Sequence, residues 1–373
     1  MKPAKFLDIL QANRINCYAG VPDSLLKEFC KEIATSSNCK NLITANEGSA
    51  IAYAAGHFLA TGELACVYMQ NSGQGNAINP LVSLADADVY SIPMVLLIGW
   101  RGQPGVKDEP QHKKQGEISL ELQKTIGVKT IILSQDSTEN EIIDTINYAR
   151  KNLAPVAFLV TKNYFDKSDS KLETENDFEI IREYAIEKIA SVFSQAAIIS
   201  TTGKISRELY EIRNKFNQSH ESDFLTVGSM GHCSMIALGV AEAEPAKQVL
   251  ALDGDGAAIM HLGSLAIVGQ SNASNLKHIV LNNAAHESVG AQPTVANKID
   301  LSEIAKNTGY AVVPKVKNAC DLLKRLTELS EQKGPAFLEI CVAIKTRSDL
   351  GRPKEAPVEN KMKFMNFIKK CIS

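Results

Sequence analysis

The chain carries almost no excess charge. Its 373 residues contain 40 Lys and Arg against 42 Asp and Glu, which gives a formal net charge of −2. A chain so balanced has no general field that attracts nucleic acid or an anionic membrane surface. We therefore expect neither as a partner, and we expect an anionic small molecule to be captured by a local group of cations.

Paired cysteines are also missing. The eight cysteines form no C-x-x-C pair and have no spacing typical of a zinc site. This scatter predicts reduced, mostly buried thiols, and therefore a cytoplasmic protein. The eight are Cys17, Cys30, Cys39, Cys66, Cys233, Cys320, Cys341 and Cys371.

Long hydrophobic runs are absent as well. A membrane-spanning helix needs roughly 20 consecutive apolar residues, and the N-terminal sequence instead predicts an amphipathic helix with Phe6, Ile9 and Leu10 on one face. The sequence thus predicts neither a secretory leader nor a membrane span.

Short apolar runs alternate with helical patterns along most of the chain, which predicts βαβ units and parallel sheets covered by helices on both faces. A polar, charged stretch at 166–178 predicts a linker between a domain at 1–165 and a domain at 179–373. We therefore predict an α/β protein of two doubly wound domains. The predicted strands are 15–19, 42–45, 65–69, 94–99, 128–133, 156–160, 196–200, 224–227, 249–252, 278–281, 310–313 and 336–341.

One tight turn carries the residue types of a phosphate and metal site. The strand at 249–252 leads into Gly254-Asp255-Gly256, and a helix is predicted from Ala257. Glycines let the backbone approach a diphosphate, a helix start offers N–H groups, and the Asp255 carboxylate is a ligand that Mg²⁺ prefers. The alternative is an ordinary β-turn with a local Asp side-chain bond.

The next strand supports the metal site. It ends in Asn282-Asn283, and the carboxyl ends of neighbouring parallel strands meet at one edge of a sheet. An aspartate, an asparagine, a backbone carbonyl and diphosphate oxygens would together satisfy Mg²⁺.

This arrangement, GDG followed some two dozen residues later by NN, resembles the diphosphate motif of the thiamine diphosphate enzymes. The resemblance implies that Asp255 and Asn283 bind Mg²⁺ through their side chains and Ala285 through its carbonyl. Asn282 would then have a role in the turn and would not bind the metal. Gly254, Gly256 and Ala257 would line the diphosphate site.

Two further segments resemble the same family. Glu47 lies just after the predicted strand at 42–45. It resembles the catalytic glutamate that activates the cofactor's aminopyrimidine ring. A helix-starting glutamate stabilised by the helix dipole is the alternative reading. The segment 228–231 resembles the one that bends the cofactor, with the Gly228 carbonyl receiving its amino group and Met230 wedged between its rings.

The resemblance extends over nearly the whole chain, through segments 20–24, 100–102, 108–114, 201–204, 286–294 and 347–353. It points to the 2-oxo acid decarboxylases of the family that lack a central domain. Residues 1–165 would then bind the pyrimidine and residues 179–373 the diphosphate and Mg²⁺. Because the two kinds of domain meet across subunits in this family, the resemblance implies a homodimer or a larger oligomer with active sites at the subunit interface.

The expected substrate is a 2-oxo acid with a second anionic group, a phosphonate, with a sulfonate as the alternative. Such an anion needs two or three cationic donors. Asp23 would position the substrate or relay a proton, and His112, which ordinarily titrates near neutrality, would donate the late proton. The family's usual acidic residue after the asparagine pair has only Glu287 as a counterpart. The candidate donors to the anion are Arg101, His112, Lys113, Arg347 and Arg352.

One segment favours a different class of protein. Residues 72–78, SGQGNAI, follow a strand and nearly fit a dinucleotide-binding fingerprint, although the third glycine is missing. A dinucleotide-binding dehydrogenase is therefore the alternative. A non-catalytic relative with the same fold is less compatible with the sequence, because Glu47, Asp255 and both asparagines are present.

Overall fold

The computed structural model describes residues 1–172 and 174–370. It divides into two compact units. The first comprises residues 1–172 with the segment His286–Gln292, and the second comprises Thr174–Ala285 with residues 293–370. Cys371, part of the predicted second domain, lies outside the described residues.

The first unit is built on a six-stranded, wholly parallel sheet with the order β2-β1-β3-β4-β6-β5. Every predicted strand of this half is present, although the second one lies two residues earlier than predicted. The strands are β1 (Cys17–Gly20), β2 (Lys40–Ile43), β3 (Ala65–Gln70), β4 (Val95–Gly99), β5 (Lys129–Leu133) and β6 (Val156–Val160).

The second unit repeats this arrangement. Its sheet is also parallel, with the order β8-β7-β9-β10-β14-β13. When the strands of each sheet are numbered along the chain, this spatial order is the same as in the first unit. The strands of the sheet are β7 (Ala197–Ser200), β8 (Asp223–Leu225), β9 (Val249–Gly254), β10 (Leu276–Asn282), β13 (Ala311–Val312) and β14 (Ala336–Cys341), and the short strands β11 (Ala285–His286) and β12 (Gln292–Pro293) pair separately.

Both faces of the central strands of each sheet are buried, as the near-continuous apolar runs predicted, whereas the edge strands β2, β5 and β13 are partly exposed. Successive residues of a strand point to opposite faces, and in β3 Cys66 and Tyr68 enter one apolar cluster while Ala65, Val67 and Met69 enter another. The strands of the second unit alternate between two clusters in the same way. Helices cover these faces, which confirms the predicted α/β class with two doubly wound sheets.

Among the seven described cysteines all are free and five are buried, which agrees with the predicted reduced thiols.

The helices follow the strands closely along the chain. The helices are α1 (Pro3–Ala12), α2 (Lys27–Thr35), α3 (Glu47–Thr61), α4 (Gln74–Pro80), α5 (Pro110–Thr125), α6 (Glu139–Asn152), α7 (Arg182–Val192), α8 (Lys204–Lys215), α9 (Cys233–Ala243), α10 (Asp255–Met260), α11 (Gly263–Gly269), α12 (Leu301–Asn307), α13 (Ala319–Glu331) and α14 (Pro357–Lys369).

The predicted linker is irregular, but its first part is not simply solvated. Ser168 is buried and donates its hydroxyl to Glu32 at 2.6 Å, while its backbone N–H donates to Glu28 at 3.1 Å. Both glutamates lie on α2, so this stretch is tied to the first unit by charge-assisted hydrogen bonds.

Candidate active site

Glu47 is the first residue of α3 and is almost completely buried, with 4% of its surface exposed. The helix starts here because the Asn46 side chain accepts the Ser49 N–H, a normal N-cap. Burial raises the pKa of the Glu47 carboxyl, although Asn76 opposes this by donating its Nδ2 to Oε2 at 2.7 Å. The side chain therefore holds a proton more readily than an exposed glutamate does.

The glycine-rich segment after β3 supports Glu47. A Cβ on Gly73 would lie 2.1 Å from Glu47 Oε1, so no larger residue fits there without moving the carboxyl. The φ of Gly73 is −72°, which any residue adopts, and the glycine is therefore required for space alone. Gly73 and Asn76 belong to the segment that resembled a dinucleotide fingerprint, and here they contact the Glu47 carboxyl.

Asp23 follows β1 and is 1% exposed. Its Oδ1 accepts the Leu25 N–H at 2.9 Å, and a Cβ on Gly99, at the end of β4, would lie 2.1 Å from the same oxygen. Its Oδ2 is buried without a hydrogen-bond partner in the described residues. Burial raises the Asp23 pKa to about 6, against the opposing effects of the Leu25 N–H and the Arg101 charge.

Arg101 follows β4 and is held mainly by Asp108. Its Nε and Nη2 donate to the two carboxylate oxygens at 2.8 and 2.5 Å, and Nη1 donates to the Ser24 hydroxyl at 2.9 Å. These contacts leave two of the five guanidinium N–H donors for a ligand. Asp23 and Arg101 are brought into one electrostatic neighbourhood by the loops after β1 and β4.

His112 and Lys113 lie in the first turn of α5. His112 is 9% exposed, and its Nδ1 is buried without a partner in the described residues, whereas Lys113 is exposed. Burial, reinforced by the Arg101 charge, lowers the His112 pKa to about 4. The imidazole is therefore neutral at pH 7, and the expected titration near neutrality is wrong for these surroundings.

A buried polar network that the sequence did not reveal joins these loops. Asn71 donates Nδ2 to the Arg101 carbonyl at 2.8 Å and accepts the Arg101 N–H at 3.1 Å. It also bonds Ser119, which Gln74 shares, and Gln123 donates to Gln74 at 2.6 Å. The network connects the turn beneath Glu47 to the loop that carries Arg101.

In the second unit, Asp255 begins a helix rather than lying in a turn. Strand β9 runs on to Gly254, and α10 starts at Asp255, two residues before the predicted start at Ala257. Gly254 has a φ of −114°, an ordinary extended value, and a Cβ there would approach Ile205 Cδ1 at 3.3 Å. The position therefore requires no unusual backbone angle.

The Asp255 carboxylate is 3% exposed and is held by neutral donors. The Thr294 hydroxyl donates to Oδ2 at 2.5 Å. Burial raises the Asp255 pKa to about 6, against opposing hydrogen bonds from Thr294 and from the backbone of Gly256 and Asn283. The sequence did not single out Thr294, which is 39 positions from Asp255 but lies within the noted segment 286–294.

The turn after β10 is fixed by its two asparagines. Asn282 Oδ1 accepts the Ala284 N–H at 2.9 Å, and Asn283 Oδ1 accepts the Ala285 N–H at 3.1 Å. Ala284 has a φ of +57°, an uncommon value for a residue with a Cβ. The buried turn brings Asn283 beside Asp255. This agrees with the prediction that the carboxyl ends of the two neighbouring strands lie at one edge of the sheet.

The loop 228–231 after β8 has two residues with left-handed backbone angles, Ser229 at φ +50° and Gly231 at φ +86°. Met230 between them is half-buried. A Cβ on Gly231 would lie 2.6 Å from the His261 ring, and that ring lies 4.5 Å, between centroids, from exposed His232. The sequence analysis did not single out these two histidines.

The remaining cationic candidates lie elsewhere in the second unit. Arg347 is bonded to three carboxylates, those of Glu183, Asp349 and Glu211, and so is largely committed to structural ion pairs. Arg352 is exposed.

The predicted residues therefore fall into two groups. The first unit holds Glu47, Asp23, Arg101, His112 and Lys113. The second holds the 228–231 loop with Asp255 and the Asn282-Asn283 turn.

Among the described residues, no three or more His, Cys, Asp or Glu side chains cluster as metal ligands. No helix in the described ranges is long and apolar enough to cross a membrane.

Comparison with known proteins gives a consistent result over both units. The family model described as the thiamine pyrophosphate enzyme N-terminal TPP binding domain matches residues 4–125, and the C-terminal TPP binding domain matches residues 201–340. Thiamine pyrophosphate (TPP) is the same compound as thiamine diphosphate.

Three relatives are similar over most of the chain. A phosphonopyruvate decarboxylase of Streptomyces viridochromogenes is 33% identical, covering 95% of this chain and 91% of its own. One of Streptomyces hygroscopicus is 34% identical over 95% and 90%. A sulfopyruvate decarboxylase of Methanosarcina acetivorans is 26% identical over 90% of each. The predicted resemblance is confirmed, and the chain belongs to the thiamine pyrophosphate enzyme family.

Proposed function

We propose that this enzyme decarboxylates 3-phosphonopyruvate to phosphonoacetaldehyde and CO₂, a step of phosphonate biosynthesis. The observation that carries the proposal is the similarity, at 33–34% identity over 95% of the chain, to two phosphonopyruvate decarboxylases. In the reaction the carboxyl carbon leaves as CO₂, its electron pair stays on the former keto carbon, and a proton added there gives the aldehyde. Bound TPP supplies the electron sink for that pair.

The second unit is proposed to hold Mg²⁺ and the diphosphate. A buried carboxylate whose hydrogen-bond donors in the described residues are neutral fits a bound cation, and Asp255 is such a group. Asn283 and the Ala285 carbonyl would complete the protein ligands, because Mg²⁺ takes few protein oxygens besides phosphate and water. The diphosphate would lie against Gly254, Gly256 and Ala257, where small residues meet a helix start.

Glu47 and the 228–231 loop are proposed to orient the organic part of the cofactor. The raised pKa of Glu47 supports its role as the acid that donates a hydrogen bond to the pyrimidine ring. The half-buried Met230, set between residues with left-handed backbone angles, supports its role as an apolar wedge. The Gly228 carbonyl would accept the pyrimidine amino group.

The first unit is proposed to bind the substrate's second anion. Arg101 keeps two donors while Asp108 fixes its plane, so a phosphonate can add to an oriented guanidinium. Lys113 would contribute a second cation from the start of α5. His112, neutral at pH 7, would donate an N–H hydrogen bond to the bound substrate.

The late proton donor is proposed to be Asp23 rather than His112. A pKa of about 6 keeps a fraction of Asp23 protonated near neutrality, and its Oδ2 has no partner in the described residues. A pKa of about 4 leaves almost no His112 in the imidazolium form, which is the form that acts as a general acid, at that pH.

We further propose that the protein works in the cytoplasm as a homodimer or larger oligomer. Free cysteines throughout the described residues support a reducing compartment. Proposed catalytic groups are divided between two units, and exposed apolar side chains such as Leu59 and Tyr90 in the first unit support burial against a second copy.

Separate assays with three candidate substrates test the proposal. The protein is incubated with Mg²⁺, TPP and phosphonopyruvate, sulfopyruvate or pyruvate in turn, and CO₂ and aldehyde are measured. We expect phosphonopyruvate to give the highest kcat/KM. Equal or faster turnover of sulfopyruvate would replace this proposal with the sulfonate alternative, which the 26% identical relative supports. Family membership removes the dinucleotide-binding alternative.

A further inference from the structure

We propose that Glu339 is a positioning residue for the cofactor-binding turn at 282–285. It holds Asn282 in the orientation that presents Asn283 and the Ala285 carbonyl to the metal. This inference rests on the proposed role of the turn in binding Mg²⁺ and TPP, and it assigns a residue of β14 that lies far from the motif in sequence.

Glu339 is completely buried, yet its carboxylate is saturated with donors. Oε1 accepts Asn282 Nδ2 at 2.7 Å. Oε2 accepts Lys315 Nζ at 2.8 Å, together with the Ser302 hydroxyl at 3.2 Å and the Ser302 N–H at 3.3 Å. The two oxygens therefore have different partners. Oε1 contacts the turn through Asn282, and Oε2 accepts from Lys315 and Ser302.

Asn282 passes this constraint to the turn. Its amide nitrogen faces the Glu339 carboxylate, and its amide oxygen accepts the Ala284 N–H at 2.9 Å. The two contacts fix the orientation of the Asn282 side-chain amide, since its nitrogen must face the accepting carboxylate and its oxygen the donating N–H. They also hold Ala284 at φ +57°, a conformation that a residue with a Cβ adopts only when its surroundings impose it.

The network continues to a second element. Lys315, whose side chain is 18% exposed, also lies 3.3 Å from Asp300 Oδ1. Asp300 in turn caps α12 by accepting the N–H groups of Ser302 and Glu303. The turn is therefore linked through Glu339 to both β14 and α12.

General stability does not account for this arrangement. Burying an ion pair is costly, and an apolar replacement of similar volume is often as stable. What an apolar residue does not provide is an acceptor for Asn282 Nδ2. Outer-shell groups that orient metal ligands have this property, because they act on the ligand geometry and not on the metal.

An amide-carboxylate exchange tests the inference. In Glu339→Gln, one of the two contacts must become donor against donor, since a single amide oxygen cannot serve both Asn282 and the Lys315–Ser302 side. In the double variant Asn282→Asp with Glu339→Gln, the glutamine amide donates to the new carboxylate and its oxygen still serves Lys315 and Ser302. The exchange leaves the net charge of the wild type unchanged.

Binding of TPP to the full-length apoprotein at saturating Mg²⁺ is measured by calorimetry, with the melting temperature of each apoprotein. We expect Glu339→Gln to weaken binding by roughly 10- to 100-fold, the cost typical of outer-shell changes. The double variant should return to within about 3-fold of the wild type, a residual of less than 1 kcal/mol. The control is Glu208→Gln, which breaks the buried Arg182–Glu208 pair of the same unit and should lower the melting temperature without changing TPP affinity.

Wild-type affinity in Glu339→Gln, or a double variant no better than the single one, would overturn the inference while the proposed function stands. Absence of TPP binding by the wild type would instead overturn the proposed function. If Glu339→Gln does not fold, Asn282→Asp alone carries the test. It keeps the acceptor for Ala284 but sets two carboxylates together, so weaker binding supports the inference and equal or tighter binding contradicts it.

Discussion

The two units have the same strand order but place different chemistry at equivalent strand ends. After the second strand of each sheet, the first unit carries Glu47 and the second carries the glycine-containing 228–231 loop. After the third, the first unit has the Asn71–Gly73 turn and the second has Asp255. The fold thus sets where functional residues lie, and the loops decide what they do.

The charges differ in the same way. The first unit contains a buried glutamate with a raised pKa and the Arg101 guanidinium, which is paired with Asp108. The second presents the buried Asp255 carboxylate, whose hydrogen-bond donors in the described residues are neutral. We expect the first unit to govern turnover and substrate choice, and the second to govern cofactor affinity.

The largest effect is expected from Glu47→Gln. Loss of a general acid typically costs about 10²- to 10⁴-fold in rate, so kcat should fall by this amount. TPP affinity, set by the second unit, should change by less than about 3-fold, or under 1 kcal/mol. Steady-state kinetics and calorimetry measure the two quantities. Glu63→Gln, just beyond the end of α3, is the control, and unchanged turnover in Glu47→Gln would remove Glu47 from its role.

The converse is expected from Asp255→Asn. The asparagine still accepts from Thr294 but lacks the charge that Mg²⁺ requires, so Mg²⁺ affinity should fall by about 100-fold or more, at least what an outer-shell change costs. At saturating Mg²⁺ much of the turnover should return, which kinetics over a range of metal concentrations will reveal. Turnover that stays low with unchanged metal affinity would break the division between the units.

A smaller loss is expected from Gly73→Ala. The added Cβ would lie 2.1 Å from Glu47 Oε1 and must displace the carboxyl. Displacement of a catalytic group by 1 Å can cost about 100-fold, and we expect a fall in kcat of roughly 10- to 100-fold. Gly75→Ala is the matched control, because nothing lies within 4 Å of a Cβ at that position. Equal activity of the two variants would mean that Glu47 is not held in place by this turn.

The smallest effect concerns Asp23 and pH. Its folded-state pKa of about 6 lies above the ordinary 3.8, so its favourable contribution is present below pH 4 and is lost as the pH rises through 6. Two pKa units correspond to about 2–3 kcal/mol. Asp23→Asn should therefore match the wild type in melting temperature at pH 4 and exceed it at pH 8. A difference that is the same at both pH values would show that Asp23 is not buried as a carboxyl.

Much of the fold was available from the sequence because its signals are local. Near-continuous apolar runs bounded by polar turns predicted all twelve strands of the two sheets, and the positions of the 249–252 run and of the next strand predicted that Asp255 and Asn283 lie together. The boundaries were less accurate. The start of α10 at Asp255 instead of Ala257 depends on which residue first takes helical angles, and no periodic pattern marks that residue.

The site was only partly predictable because its contacts join residues distant in sequence. Nothing in the spacing indicated that Thr294 donates to Asp255, that Asn76 donates to Glu47, or that Glu339 holds Asn282. The ionisation of His112 is a similar case. Its residue type suggested titration near neutrality, whereas burial beside Arg101 lowers its pKa to about 4.

The sequence by itself determined the architecture, the family resemblance and the residue types of the candidate site in each unit, since hydrophobic period and motif spacing are properties of the linear chain. Only the tertiary structure decided which partner fixes each functional group and how each is ionised. Hydrogen-bond partners come from other strands and helices, and a pKa depends on the surroundings that folding creates.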